Sequence, residues 1–275
     1  MYYLLTEDFK QQETKLVTII TSILPVEKIY LLGSTLSQRR TETAFMTDAP
    51  SCRKVSHYYL LVLVNKNCNY SNNEVQDRVE NTCRSFIPVT AIALHIQQFN
   101  NWLNVGQRFA TTVVNIAVLI HDGNKIPFKI PAGFETTNDP RDKEMYSFRY
   151  VMVNEFIAGA ELYIARKQNN MALFMLHQAA EHALHLLLKN STGLHINTHN
   201  IEKLLRYCSM VSFTIPEVFD SNNERKENLL RLLQRSYINT RYRQMKAVSK
   251  ENLALLIERV KRLAVICNRA GDVVG

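Results

Sequence analysis

The sequence predicts an α+β protein in two domains, a small mixed sheet flanked by helices and then an all-α antiparallel helical bundle. Three observations carry this. Residues 1–140 alternate short β-branched runs with amphipathic helical stretches, the pattern of a sheet with helices packed on it. Residues 141–275 show helical periodicity alone. Between them, 131–142 gathers Pro, Gly, Thr, Asn and Asp without a period, which marks a linker. At 275 residues, 46% hydrophobic and 21% charged, the chain has the length for two ordinary domains and the composition of a globular protein.

In chain order, Phe9, Leu16, Ile19, Ile20 and Ile23 recur at helical spacing ahead of Pro25, so a helix is expected over 7–24. Residues 28–32 read as a short strand ended by Gly33-Ser34, and 57–64 as a β-branched and aromatic strand buried on both faces. The stretch 35–55 between them is expected as helix or loop. Ser71 and Glu74 have capping-box spacing, and Val75, Val79, Cys83 and Phe86 mark one face of a helix that stops before Pro88. Strands follow at 89–96 and 115–121, with a helix around 98–108 between them and an Asp122-Gly123 turn after.

Beyond the linker, helical faces fall at Phe148/Val151/Met152/Phe156/Ala160/Tyr163 and at Leu173/Leu176/Ala180/Ala183/Leu184/Leu187. Others fall at Ile201/Leu204/Leu205, at Leu230/Leu233/Tyr237 and at Leu253/Leu256/Val260/Leu263/Cys267. Thr198 and Ser249 are the expected N-caps. Short connections favour antiparallel neighbours.

Composition narrows the function. No positively charged leader precedes an apolar run at the N-terminus, and no apolar run approaches the roughly 20 residues that cross a bilayer, so secretion and a membrane span are not expected. The five cysteines are odd in number and never paired as Cys-x-x-Cys, which fits packing thiols in a cytoplasmic protein. The net charge of +8 sits late: 224–275 holds 12 basic against 5 acidic residues. A phosphate-bearing partner is therefore expected at the last helices, or else those helices are simply well solvated.

Tyr30-Leu-Leu-Gly-Ser34, followed by a second strand at 57–64, resembles the active-site order of nucleotidyltransferases of the polymerase-beta superfamily. The resemblance implies that Gly33 and Ser34 approach a triphosphate, and that two aspartates opening the second strand hold two divalent cations. In this chain His57 and Tyr59 stand at those aspartate positions. An imidazole and a phenol do not rebuild a two-metal clamp, which wants carboxylates, so the metal positions are degenerate and no metal or cofactor is expected. Arg39, Arg40, Arg53 and Lys54 lie between the two strands and could meet phosphates electrostatically; Glu42 and Asp48 are the acids of that stretch.

In the second half, 172–188, Thr198-His-Asn-Ile-Glu-Lys-Leu-Leu205 and Tyr237-Ile-Asn-Thr-Arg-Tyr242 resemble bacterial HEPN domains of the sacsin-like branch, over about 145–268. His177, Glu181 and His185 are spaced at four and share a helix face, with Gln178 and His182 beside it. The resemblance makes Glu181 a partner for Arg241, either turning it toward a phosphate or neutralising it, and places His177, Gln178, Glu181, Arg241, Tyr242 and Arg243 along the HEPN groove. It also implies a homodimer through the HEPN helices and, by the pairing of the two domains, a toxin–antitoxin or defence role. HEPN ribonucleases carry an Arg followed after four to six residues by a His; here no His follows His199, and Asn239 replaces the acid that often precedes Arg-Tyr. No catalytic residue is assigned. The expected function is non-catalytic recognition of nucleotide or RNA, with a nucleotidyltransferase using relocated acids, or a ribonuclease using Arg241, Tyr242 and His177 or His185, as the alternative.

Overall fold

The computed structural model describes residues 7–40, 51–123, 128, 140–219, 229–236 and 248–272. The chain divides into two compact units, Met1–Thr137 and Asn138–Gly275, each with its own core.

In the first unit, α1 (Glu7–Ile23), β1 (Val26–Arg40), β2 (Ser51–Val64) and α2 (Asn72–Cys83) are followed by β3 (Val89–His95), α3 (Ile96–Asn104), α4 (Arg108–Ile116) and β4 (Val118–Asp122). The strands form one mixed sheet in the order β3-β2-β1-β4. β2 and β3 run parallel, while β1 is antiparallel to both β2 and β4. Inner strand β2 is fully buried from Leu60 to Val64, as its unbroken apolar run requires. Alternation sends Tyr58, Leu60, Val62 and Val64 into a core shared with Leu16 and Ile20 of α1 and Val75, Val79 and Cys83 of α2. The other face belongs to α3, where the Phe99 ring lies 6.5 Å from that of Tyr30. At the sheet's far end the buried Lys28 ammonium pairs with Asp122 at 2.5 Å, tying β1 to edge strand β4.

Several expectations need correction here. Gly33-Ser34 does not end β1. The strand slips by one residue between Leu31 and Gly33 and continues to Arg40, because β2 starts back at Ser51 and offers it a partner along that length. What was expected as helix or loop over 35–55 is thus strand at both ends. The helix expected over 98–108 is Ile96–Asn104, closed by Gly106 at a positive φ of 69°. Residues 108–116 are helical although Thr111, Thr112, Val113, Val114 and Ile116 favour strands, so Asn115 is not a strand residue. Packing decides: Gln107 caps Ala110 N–H, and Phe109, Ala110 and Val113 are buried, with Phe109 edge-on to Trp102. The capping box forms as read, Ser71 Oγ accepting from Glu74 N–H while the Glu74 carboxylate accepts from Ser71 N–H.

The second unit is helical: α5 (Pro140–Ala165), α6 (Asn169–Thr192), α7 (Ile201–Cys208), α8 (Ile215–Val218), α9 (229–236) and α10 (Lys250–Asp272). Central α6 packs on α5, α7 and α10. It buries Leu173, Leu176, Ala180, Ala183, Leu184 and Leu187, and α10 buries Leu253, Leu256, Val260, Leu263 and Cys267. Of the expected linker, residues 131–139 lie outside the described residues and 140–142 are helical, Pro140 being acceptable in a first turn. The α5 face is rotated from expectation: Val153, Ile157 and Ala160 are buried, whereas Phe148 and Val151 are exposed. Ser249 caps α10 as expected, but Asn200 rather than Thr198 caps α7, accepting from Lys203 N–H at 3.0 Å. The thiols of Cys83, Cys208 and Cys267 are buried, and burial raises their pKa. That leaves them poor nucleophiles and good packing groups. Among the described residues, no helix is long and apolar enough to cross a membrane.

Candidate functional site

On the sheet, His57 and Tyr59 stand next to each other on one face of β2, ring centroids 4.9 Å apart. His57 Nε2 lies 2.8 Å from Thr90 Oγ1 on β3, and the Tyr59 hydroxyl 3.4 Å from Thr35 Oγ1 on β1. Each neighbouring strand therefore supplies a hydroxyl where the resemblance calls for metal-holding oxygens. An imidazole, a phenol and two hydroxyls carry no fixed negative charge, and hard divalent cations bind such a set weakly. Among the described residues, no group of three His, Cys, Asp or Glu side chains is placed to hold a metal ion.

Gly33 pairs with Tyr59 and Ser34 with Tyr58. Directly opposed residues share a face, so exposed Ser34 lies on the side of Tyr58, whose hydroxyl reaches Gln12 of α1. Gly33 and Ser34 are thus mid-strand, and Ser34 does not converge with His57 and Tyr59. Arg39 and Arg40 are the last residues of β1, opposite Cys52 and Ser51. Glu42 and Asp48 lie outside the described residues.

In the second unit a polar cluster lies along α6. Glu181, 8% exposed, accepts at Oε1 from or pairs with His199 Nδ1 at 2.9 Å, and its Oε2 lies 3.6 Å from Nδ1 of the fully buried His177. Gln178 Nε2 is 3.3 Å from that same His177 Nδ1. His185 Nε2 reaches the Thr198 carbonyl at 3.0 Å. From α9, the Gln234 amide brackets the start of α7: its Oε1 accepts from Ile201 N–H at 2.6 Å and its Nε2 donates to the His199 carbonyl at 3.3 Å. His199 is consequently held at ring and backbone, while 53% of its side chain stays exposed. Burial lowers the pKa of His182, His185 and His195, and the Arg149 charge acts in the same direction on all three.

Of the expected groove residues, His177, Gln178 and Glu181 come together; Arg241, Tyr242 and Arg243 lie outside the described residues. His199 and Gln234 were not singled out from sequence. His199 stands inside a motif read for its helix start, and its partner is 18 residues away on another element, beyond the reach of local periodicity.

The residues that build this cluster lie within a stretch that matches a known family. A family model for the HEPN domain matches residues 151–270. The chain carries a HEPN domain. The inward His177, Gln178 and Glu181 and the bracketing Gln234 all belong to this HEPN domain, and the sheet unit lies outside it. Among solved structures, a nucleotidyltransferase-like protein from Exiguobacterium sibiricum 255-15 is similar at 13% identity, covering 96% of this chain and 77% of its own, with a TM-score of 0.32. Among curated proteins, none matches.

Proposed function

We propose that this protein recognises nucleotide or RNA phosphates as a non-catalytic binding or regulatory protein, and that it performs no metal-dependent nucleotidyl transfer. The observation that carries the reading is at His57 and Tyr59. Their polar atoms are engaged with Thr90 and Thr35, so the positions where two aspartates would clamp cations hold a hydrogen-bonded imidazole and phenol instead of carboxylates. The HEPN domain and the 12 basic residues in 224–275 against 5 acidic ones support a polyanionic ligand. Exposed Phe148, Val151 and Leu162 of α5 are compatible with a homodimer through the HEPN helices, and a toxin–antitoxin or defence role accords with the pairing of domains.

The test is fluorescence anisotropy of a labelled RNA oligonucleotide and of labelled ATP across a salt series. The reading expects binding whose logarithm falls linearly with the logarithm of salt. Failure to bind any RNA or nucleotide at low salt sinks it.

A metal-free ribonuclease is the second reading, favoured by the Glu181–His199 pair. A buried carboxylate on Nδ1 fixes the tautomer and direction of an exposed imidazole, the preparation a general acid–base group needs. Arg241 and Tyr242 join it by resemblance. RNA cleavage in EDTA that His199→Ala abolishes, in a variant shown to remain folded at the assay temperature, establishes this reading over the first.

A further inference from the structure

Beyond the three-layer core, the sheet narrows to two strands. β3 pairs with β2 only from Tyr58 to Val64, and β4 pairs with β1 only from Lys28 to Leu31. β1 and β2 nevertheless stay paired out to Arg40 opposite Ser51, with one bulge at Ser56 between the Thr35–His57 and Leu36–Val55 pairs. Residues 35–40 and 51–57 therefore make an antiparallel ribbon with no further described strand on either side. At roughly 3.3 Å per residue, it extends about 20 Å beyond the end of β3.

The ribbon holds Arg39, Arg40, Arg53 and Lys54 and not one acidic residue. Register sets Lys54 opposite Ser37 and Arg53 opposite Gln38, so no cation directly faces another across the ladder. Strand positions alternate between faces, so Ser37 and Lys54 share one face and Leu36 and Val55 the other. Ser34, Thr35, Leu36 and Ser37 are exposed, and Lys54 is exposed. At the root of the ribbon, on the Lys54 face, stands the half-buried ring of His57. A local charge of four cations on thirteen residues is a strong electrostatic signal in a unit whose charges otherwise nearly balance.

We infer that this ribbon is a nucleic-acid-binding arm, a site separate from the HEPN groove, and that its occupant is the phosphodiester backbone of single-stranded RNA. Cations clustered along a strand pair match a flexible phosphate chain, and an aromatic ring at the root offers a base a stacking partner. Double-helical RNA is disfavoured because its deep, narrow major groove does not admit such an arm. The inference rests on the proposed recognition of RNA and adds where on the first unit that RNA is held.

The test uses the full chain and a labelled single-stranded RNA of about 20 nucleotides, with a duplex DNA of the same sequence alongside. A variant with Arg39, Arg40, Arg53 and Lys54 all replaced by Gln is compared with Arg241→Met, and each is checked for an unchanged melting temperature. The ribbon variant is expected to lose at least tenfold in affinity for the RNA, and its salt slope to fall by about 0.7 for each phosphate contact removed, roughly 2–3 in all. Unchanged RNA affinity and slope in a folded ribbon variant overturn the inference, and so does a loss confined to duplex DNA. If Arg241→Met weakens binding while the ribbon variant does not, the recognition of RNA stands and the arm fails. If the parent binds no RNA, both fail. Should the fourfold variant not fold, the pairs Arg39→Gln/Arg40→Gln and Arg53→Gln/Lys54→Gln are measured separately, and each is expected to give part of the slope change.

Discussion

Glu181 sits on α6 at 8% exposure, where a carboxylate without partners would cost several kcal/mol. His199 at 2.9 Å and His177 at 3.6 Å account for its being tolerated. Glu181→Gln is expected to destabilise the HEPN domain by about 1–3 kcal/mol, the cost of leaving buried polar partners badly matched; an unchanged urea midpoint counts against the pair. The neighbouring histidines give the domain a pH dependence. Burial holds His182, His185 and His195 below the ordinary imidazole value, so the folded state binds fewer protons than the unfolded chain. Their contribution is complete above the unfolded value of about 6.5 and is lost as pH falls through the window beneath it. Melting temperature is expected to drop between pH 7 and pH 5, and to drop less in His185→Gln; equal slopes refute this role for His185. At this scale the sequence was legible where partners lie one helix turn apart, as His177 and Glu181 do. It was silent where the partner comes from another element, as with His199, Gln234, Thr35 and Thr90.

At the scale of elements, legibility followed the strength of periodicity. The α6 and α10 faces are those read from the sequence because each holds an unbroken apolar stripe, and Leu184→Ala at a fully buried position is expected to cost about 2–5 kcal/mol. The α2 helix announces itself by its capping box. Ser71→Ala is expected to lower stability by roughly 1 kcal/mol, measured by thermal melting with two-state analysis, and a cost near zero speaks against a working cap. Three features were not legible. The helix α4 is written largely in β-branched residues and exists because Phe109, Ala110 and Val113 are buried there. The extension of β1 past Gly33 needs a partner strand more than ten residues away. The buried side of α5 depends on which of two overlapping apolar faces meets α6: Val153, Ile157 and Ala160, which share one face, are buried, and Phe148 and Val151 are exposed.

For the whole molecule, a sheet unit with an imidazole and a phenol at His57 and Tyr59 is joined to a HEPN domain whose polar cluster centres on Glu181. Basic residues cluster in both units, at 39–54 in the first and at 224–275 in the second. The account rests on the proposed combination of anion binding with an absence of metal chemistry. The most direct test incubates the full chain with radiolabelled ATP, RNA and Mg²⁺ at low salt, then resolves the RNA on a denaturing gel. Retained RNA that is neither lengthened nor labelled is the predicted result. Label appearing in the RNA, and vanishing when EDTA is added, would contradict it.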